Sequence, residues 1–227
     1  KEKHFGFYRV LVIIFGFILI LALRNFLIVP LIPVLLAWIL SDKYSNRIKP
    51  FITYSIVALA SIILFFSTRY ISTYLDMPNA VVIRQQEFLK LQGGSVVPVK
   101  ELQPTVTSFI INAPQAFSLS VLRPYFSDIR HLLSMAAAVE INFFLLLFLI
   151  FLIWRKNGVG FTPFILFCIS FSFLILMMIG YSVNVLGAIV RYRSIVLPLL
   201  IIPMIAKIDW GKIYNIIFGN ITIKNNI

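Results

Sequence analysis

The amino-acid sequence predicts an all-α fold: a polytopic transmembrane helical bundle of about six spans, with one large outer loop that carries short amphipathic helices. The chain of 227 residues is 60% hydrophobic and only 12% charged, whereas soluble domains are nearer half apolar and about a quarter charged. Its mean hydropathy is +0.98. Several runs exceed the ~18 uncharged apolar residues that indicate a spanning helix. In lipid, such a run satisfies its backbone polar groups by forming a helix.

The predicted spans follow the apolar runs along the chain, at 7–23, 26–40, 51–68, 132–154, 161–181 and 183–206. Only Arg24 and Asn25 separate the first two runs, so a single re-entrant hairpin or bent helix is the alternative to two spans. Prolines are expected to kink the second and sixth spans, at Pro30, Pro33, Pro198 and Pro203. We treat residues 1–227 as one transmembrane domain. Because position 1 is Lys rather than Met, we expect it to be a fragment of a longer chain.

Residues 69–131 form the predicted outer loop, which is too apolar for a disordered linker. Asn79–Gln92 is predicted to be an amphipathic helix that ends at the following glycines. Thr105–Leu122, interrupted by Pro114, is predicted to lie half buried among lipid headgroups. A loop of this size is either functional or a structural cap over the bundle, and both interpretations stay open.

Positive charge orients the predicted bundle. The net charge is +12, but basic residues flank apolar segments and form no block with interleaved aromatic residues, which argues against nucleic acid as a partner. With the N-terminus and C-terminus inside, the inner segments carry eleven of the twenty Lys and Arg residues, as the positive-inside rule requires. All three tryptophans then fall at the inner boundary, and residues 207–227 form an inner tail.

Arg191-Tyr192-Arg193 interrupts the sixth apolar run and is the main candidate site. Arginine does not lose its proton, and a charge at membrane depth normally marks a site or a partner. Glu140 is the only acid inside a predicted span. Counting residues to the inner boundary places it at the same depth as Arg193.

Two residues of a helix that are two positions apart point about 200° away from each other. Arg191 and Arg193 can therefore both face Glu140 only where the helix unwinds, which the preceding Asn184 favours. We expect one arginine to pair with Glu140 and the other to be free for an anionic group such as phosphate, with Arg123 of the outer loop nearby. The alternative is that the ion pair fixes helix packing and the second arginine contacts lipid headgroups.

Other chemistry has no signature in this sequence. There is no Gly-rich phosphate loop, no HExxH and no GxSxG. Cys168 is the single cysteine, and no Cys/His spacing suits a metal. We therefore predict no cofactor and no metal, and no catalytic residue is assigned.

The stretch from Asn184 to Pro198 resembles the C-terminal region of bacterial polytopic envelope-polysaccharide proteins, which include GT-C-type glycosyltransferases and O-antigen-polymerase-like proteins. The pattern from Pro114 through Arg123-Pro124-Tyr125-Phe126 to Glu140 resembles the outer loop of such proteins. The resemblance implies a multi-pass protein of the bacterial cytoplasmic (inner) membrane. It would handle a polyprenyl-phosphate-linked glycan at the outer face, as a glycosyltransferase or polysaccharide polymerase.

Onto this chain the resemblance carries Arg191 and Arg193, with Arg123 and Glu140. One departure is that GT-C enzymes usually have a catalytic acid in the first outer loop, whereas this loop is only Arg24-Asn25. A polymerase or ligase does not need that acid. Two further alternatives are a non-catalytic structural subunit that assembles with other membrane subunits, and a transporter or flippase-like carrier. Charge at a single depth and the absence of repeats disfavour the carrier.

Overall fold

The computed structural model of the protein describes residues 7–44, 48–92, 94–130, 132–156 and 160–219. Helices dominate these residues, which contain no strand; isolated antiparallel bridges join Val96 to Val185 and Arg155 to Ile208. The ten α-helices of the described residues are α1 Phe7–Arg24, α2 Ile28–Lys43, α3 Pro50–Ile71, α4 Met77–Leu89, α5 Val106–Phe117, α6 Leu132–Ile153, α7 Pro163–Ser182, α8 Leu186–Arg193, α9 Leu197–Lys207 and α10 Trp210–Phe218.

Helices α3, α6 and α7 are long and apolar enough to cross a membrane, and α8 with α9 makes a fourth span if the pair, bent by 53°, is counted as one. These helices confirm the predicted membrane helical bundle. Helix α2 is shorter, with 16 residues, and in α1 the apolar stretch is Val10–Arg24; only the short 3₁₀ turn Asn25–Leu27 joins the two helices. The number of six spans therefore stays a prediction.

Several helices begin where the sequence supplies a cap, a side-chain oxygen that accepts a hydrogen bond from a free backbone N–H of the first turn. Thr162 Oγ1 accepts from Ile165 N at 3.4 Å at the start of α7, where Pro163 occupies the first turn. The other such caps are Asp76 for α4, Thr105 for α5 and Asp209 for α10. The caps and prolines thus fix where these helices start.

Helix α7 lies at the centre of the bundle. Its side chains form much of the largest apolar cluster together with α2 and α8, and Ile175 is completely buried there. Trp38 of α2 packs against Phe164 and Phe167 of α7, with ring centroids 5.9 and 5.4 Å apart. Helix α6 instead packs on α9 through the smaller cluster that contains Ile141.

Residues 72–92 and 94–130, which we name the α3–α6 segment, fold back onto the C-terminal end of α7. Tyr181 of α7 donates a hydrogen bond from its hydroxyl to the carbonyl oxygen of Phe109 at 2.8 Å, and the two rings pack 5.0 Å apart. Gly180 lies against Ala116, where a Cβ atom would overlap the Ala116 backbone. Helix α5 therefore approaches α7 closely because residue 180 has no side chain.

The helix predicted at Asn79–Gln92 corresponds to α4, in which Val82 is buried while Ile83 is exposed. The segment predicted at Thr105–Leu122 is α5 followed by the π-turn Ser118–Leu122. Its Phe109 is buried against protein, whereas neighbouring isoleucines are exposed. Each of these helices has one face on the bundle and another directed away from it.

Candidate functional site

The Arg191-Tyr192-Arg193 motif forms the last turn of α8, an eight-residue helix with a break on each side. Before α8, the chain is extended: Leu186 N donates to the Ser95 carbonyl at 3.0 Å, and Val97 N donates to the Asn184 carbonyl at 2.9 Å. After α8, residues 194–196 turn before Pro198 enters the first turn of α9. The helix is thus interrupted on both sides of the motif, while the arginines themselves are helical.

Asn184 is buried, with only 2% of its surface exposed. Its carbonyl oxygen accepts a hydrogen bond from Val97 N, and its Nδ2 donates one to the Val97 carbonyl oxygen at 3.5 Å. Its Oδ1 has no hydrogen-bond partner within the described residues. Asn184 therefore fastens the α3–α6 segment to the start of α8 rather than lining an open site.

The two arginines point to opposite sides of α8, as their spacing predicts. Arg191 is exposed, whereas Arg193 is only 1% exposed. Arg193 Nη1 donates to the carbonyl oxygens of Arg123 at 2.7 Å and Ser120 at 3.3 Å. Such carbonyls at a helix end lack intrahelical partners, so the guanidinium holds the end of the Ser118–Leu122 π-turn against α8.

Glu140 lies on the exposed side of α6 and lines a groove of ≈ 540 Å³ together with Ser194 and Pro198 of the α8–α9 bend. It interacts electrostatically with Arg193. In the described part of the chain, however, no ion pair joins Glu140 to either arginine. The pairing expected from matched depth is not formed, because the Arg193 side chain reaches backbone carbonyls of the α3–α6 segment instead.

Arg123 is engaged within the α3–α6 segment. Its Nη1 lies 3.4 Å from Asp128 Oδ1, and its guanidinium carbon lies 5.1 Å from the centroid of the Tyr125 ring. Asp128 also accepts a hydrogen bond from the Tyr125 backbone N–H at 2.9 Å. Arg123 contacts Arg193 only through the backbone carbonyl group of Arg123, and the structure does not bring it together with Arg191.

Arg191 faces an open groove of ≈ 430 Å³ between α8 and the end of α4. It is the one charged residue among the described residues that line it, the others being Phe88, Leu91, Val185, Gly187 and Ala188. At Gly187, which lines the groove, an added Cβ atom would meet nothing within 4 Å, so there is open space beside this residue. The groove combines an apolar wall with a single exposed guanidinium.

A second arginine, which sequence reasoning did not assign to the site, lies beside the motif. The guanidinium carbon of Arg24, at the end of α1, is 5.4 Å from the centroid of the Tyr192 ring, and that of Arg191 is 5.8 Å from the same centroid. Phe26 packs edge-on against Tyr192 at 5.8 Å. The signal in the sequence is a cation at the end of an apolar run, in the predicted first outer loop.

No group of His, Cys, Asp and Glu that could hold a metal occurs among the residues that the structure describes. Comparisons of the chain with family models, with curated proteins and with solved structures gave no match.

Proposed function

We propose that this protein acts in cell-envelope polysaccharide biosynthesis and binds a polyprenyl-phosphate-linked glycan in the groove beside Arg191. The observation that carries the proposal is one exposed guanidinium in a groove whose other lining residues are apolar. A ligand that matches both features has an anionic group joined to a hydrocarbon chain. The likeness of residues 184–198 to envelope-polysaccharide proteins selects polyprenyl phosphate from this class.

Arginine is well suited to phosphate because its planar, forked donors form charge-assisted hydrogen bonds with two oxygens at once. The wall formed by Phe88 and Leu91 offers apolar contact to the first units of a polyprenyl chain. At ≈ 430 Å³, the groove is at the lower end of the ~300–1,000 Å³ typical of ligand pockets. It fits the phosphate region and the start of the chain, while the remainder of the chain lies in lipid.

The proposal gives the predicted site residues different tasks. Arg191 contacts the phosphate. Arg193, Asn184 and Arg123 support it, because they hold the α3–α6 segment against α8 or are engaged within that segment. The described groove lining contains no acid, so this groove supplies binding and orientation rather than acid–base chemistry. We keep the bacterial cytoplasmic membrane as the location, with both termini inside and the groove at the outer face.

Lipid binding tests the proposal directly. The purified full chain in nanodiscs of phosphatidylcholine is titrated with a radiolabelled polyprenyl monophosphate and, separately, with the uncharged polyprenol. We expect saturable binding of the phosphate only. Arg191→Gln should weaken it by about 1.5–3 kcal/mol, at least about ten-fold, since a hydrogen bond to a charged group is lost.

Lys100→Gln is the matched control, because Lys100 is an exposed cation of the α3–α6 segment that does not line the groove. Equal binding of phosphate and polyprenol, or equal loss in Lys100→Gln and Arg191→Gln, would contradict the proposed site. The biosynthetic part is tested by deleting the gene and profiling surface glycans and lipid-linked intermediates. Unchanged profiles would contradict a role in polysaccharide synthesis.

A further inference from the structure

We infer that the groove lined by Glu140, which we name the Glu140 groove, binds a transmembrane helix of a partner protein that carries one Lys or Arg side chain at the depth of Glu140. The groove shares no lining residue with the groove beside Arg191. The inference therefore stands independently of the proposed function, and it names a partner of this chain rather than a substrate.

The Glu140 groove has a shape that accommodates one helix. It lies between α6 and the chain that bends from α8 into α9. On each side the lining residues recur at intervals of three and four positions, which is the spacing along one face of a helix. Each side extends for about two helical turns, or about 10–12 Å, so a third helix can contact both. The lining residues are Ala136, Val139, Glu140, Phe143 and Phe144 on α6 and Ser194, Leu197, Pro198 and Ile201 on the other side.

The walls of the Glu140 groove are accessible to a partner. Val139 and Phe143 are each 63% exposed, and Ala136 and Ser194 are exposed as well. Alanine and serine are small, and small residues allow helix backbones to approach closely in a membrane. Helix α6 packs on α9 through its other face, which contains Ile141. One face of α6 therefore belongs to the bundle, and the face with Glu140 remains open.

Glu140 gives the open face its chemistry. It is the ninth residue of the 22-residue helix α6, so it lies about 12 Å from the start of the helix and about 20 Å from its end. A glutamate side chain bridges neither distance. Within the described residues it makes no hydrogen bond and no ion pair, and Arg193, which attracts it, donates to carbonyl oxygens instead. A carboxylate at membrane depth is costly and is normally paired.

Charge complementarity indicates the occupant. A Lys or Arg side chain in a neighbouring span would form a charge-assisted hydrogen bond with Glu140, and each group would spare the other from exposure to lipid. A second copy of the chain offers no such cation in its three membrane-length helices. The one Lys or Arg in α3, α6 and α7 is Arg69, in the last turn of α3. The geometry therefore favours a helix of a different protein.

The experiment measures association of synthetic transmembrane peptides with the full chain in phosphatidylcholine nanodiscs, by energy transfer between labels on the two molecules. Each peptide is a leucine–alanine helix as long as α6, with Lys, Gln or Leu at its ninth residue and tryptophan at both ends. We expect the Lys peptide to bind at least about ten-fold more tightly than the Leu peptide, the effect of a hydrogen bond between charged groups. Glu140→Gln should reduce this preference to within about three-fold, because interhelical hydrogen bonds of neutral groups are weaker.

Matched variants separate charge from shape. Glu101→Gln removes an exposed acid that does not line the groove, so it should keep the preference for the Lys peptide. Ala136→Phe places a ring in the groove and should weaken binding of all three peptides. Ala58→Phe adds the same ring to the exposed side of α3 and should change none of them. In Glu140→Lys, the preference should pass to a peptide with Glu at its ninth residue.

Four outcomes would overturn the inference. They are equal binding of the Lys and Leu peptides to the wild-type chain, a Lys preference that survives in Glu140→Gln, displacement of the Lys peptide by an equal concentration of dodecylamine, and a two-copy complex that forms without peptide and is lost in Glu140→Gln. The third would indicate a site for a cationic lipid, and the fourth an interface between copies. Elution and thermal unfolding like wild type establish that each variant is folded. Because the experiment involves no lipid phosphate other than that of the nanodisc, its failure leaves the proposed function unaffected.

Discussion

Helix α5 can sit on α7 only because residue 180 is glycine, so Gly180→Ala should loosen the α3–α6 segment. A Cβ atom at this position would overlap the Ala116 carbonyl oxygen and lie 2.6 Å from its carbon and 2.8 Å from its Cα. Ordinary contact begins at 3.4 Å, and the obstructing atoms are backbone, which cannot rotate away. Helix α5 must therefore withdraw by about 1 Å, the scale on which overpacking costs about 1–3 kcal/mol.

The withdrawal has a second cost, because the hydrogen bond from the Tyr181 hydroxyl to the Phe109 carbonyl lies beside Gly180. Its loss adds about 0.5–1.5 kcal/mol. Together the two costs should lower the free energy of unfolding of Gly180→Ala by about 1.5–4.5 kcal/mol. For a chain of this size, this lowers the unfolding temperature by about 3–18 °C.

The assay is thermal unfolding in nanodiscs, followed by circular dichroism, together with limited proteolysis of the α3–α6 segment. Gly16→Ala is the matched control: Gly16 lies inside α1, where a Cβ atom would meet nothing within 4 Å. Alanine there should be neutral or slightly stabilising, because it favours the helix over glycine. If Gly180→Ala unfolds at the wild-type temperature with unchanged proteolysis, the close approach of α5 and α7 does not exist as described.

Three further predictions concern buried groups. Tyr181→Phe should cost about 1 kcal/mol in unfolding free energy, since it removes only the hydroxyl that donates to Phe109; a variant as stable as wild type would argue against this bond. Arg193→Gln should lower the membrane level of the protein, since its Nη1 holds two carbonyls, whereas Arg191→Gln should keep the wild-type level; equal levels in immunoblots would contradict the structural role of Arg193. Cys168, 1% exposed, should resist a membrane-permeant maleimide in nanodiscs and react at once in dodecyl sulfate, and rapid labelling in nanodiscs would contradict its burial.

The parts of the fold that sequence could predict depend on local properties. Apolar runs indicate α3, α6 and α7 because composition alone decides whether a helix can lie in lipid. The 53° bend between α8 and α9 lies just before Pro198, one of the two prolines that are expected to kink the sixth span. The opposite directions of Arg191 and Arg193 follow from 3.6 residues per turn. Each of these statements needs only residues that are close together in the chain.

The partner of Arg193 could not be predicted in the same way. The sequence contains one acid at the right depth, Glu140, but the guanidinium of Arg193 binds the carbonyls of Ser120 and Arg123. A backbone carbonyl is present at every position, so it leaves no signature in the sequence. The contact of Arg24 with Tyr192 was hidden for a related reason: nothing in a single sequence indicates which distant helix end an aromatic ring will meet.

The attachments of the α3–α6 segment to α8 have a consequence for how ligand binding would be transmitted. Residues 95–97 bond to the beginning of α8, and the carbonyls of Ser120 and Arg123 bond to its end. A helix of eight residues is only about 12 Å long, so these attachments leave it little freedom to rotate alone. An anion that restrains Arg191 should therefore slow amide hydrogen exchange at Val97 and Leu186. Exchange at these two amides would then show whether the groove is occupied, although neither residue lines it.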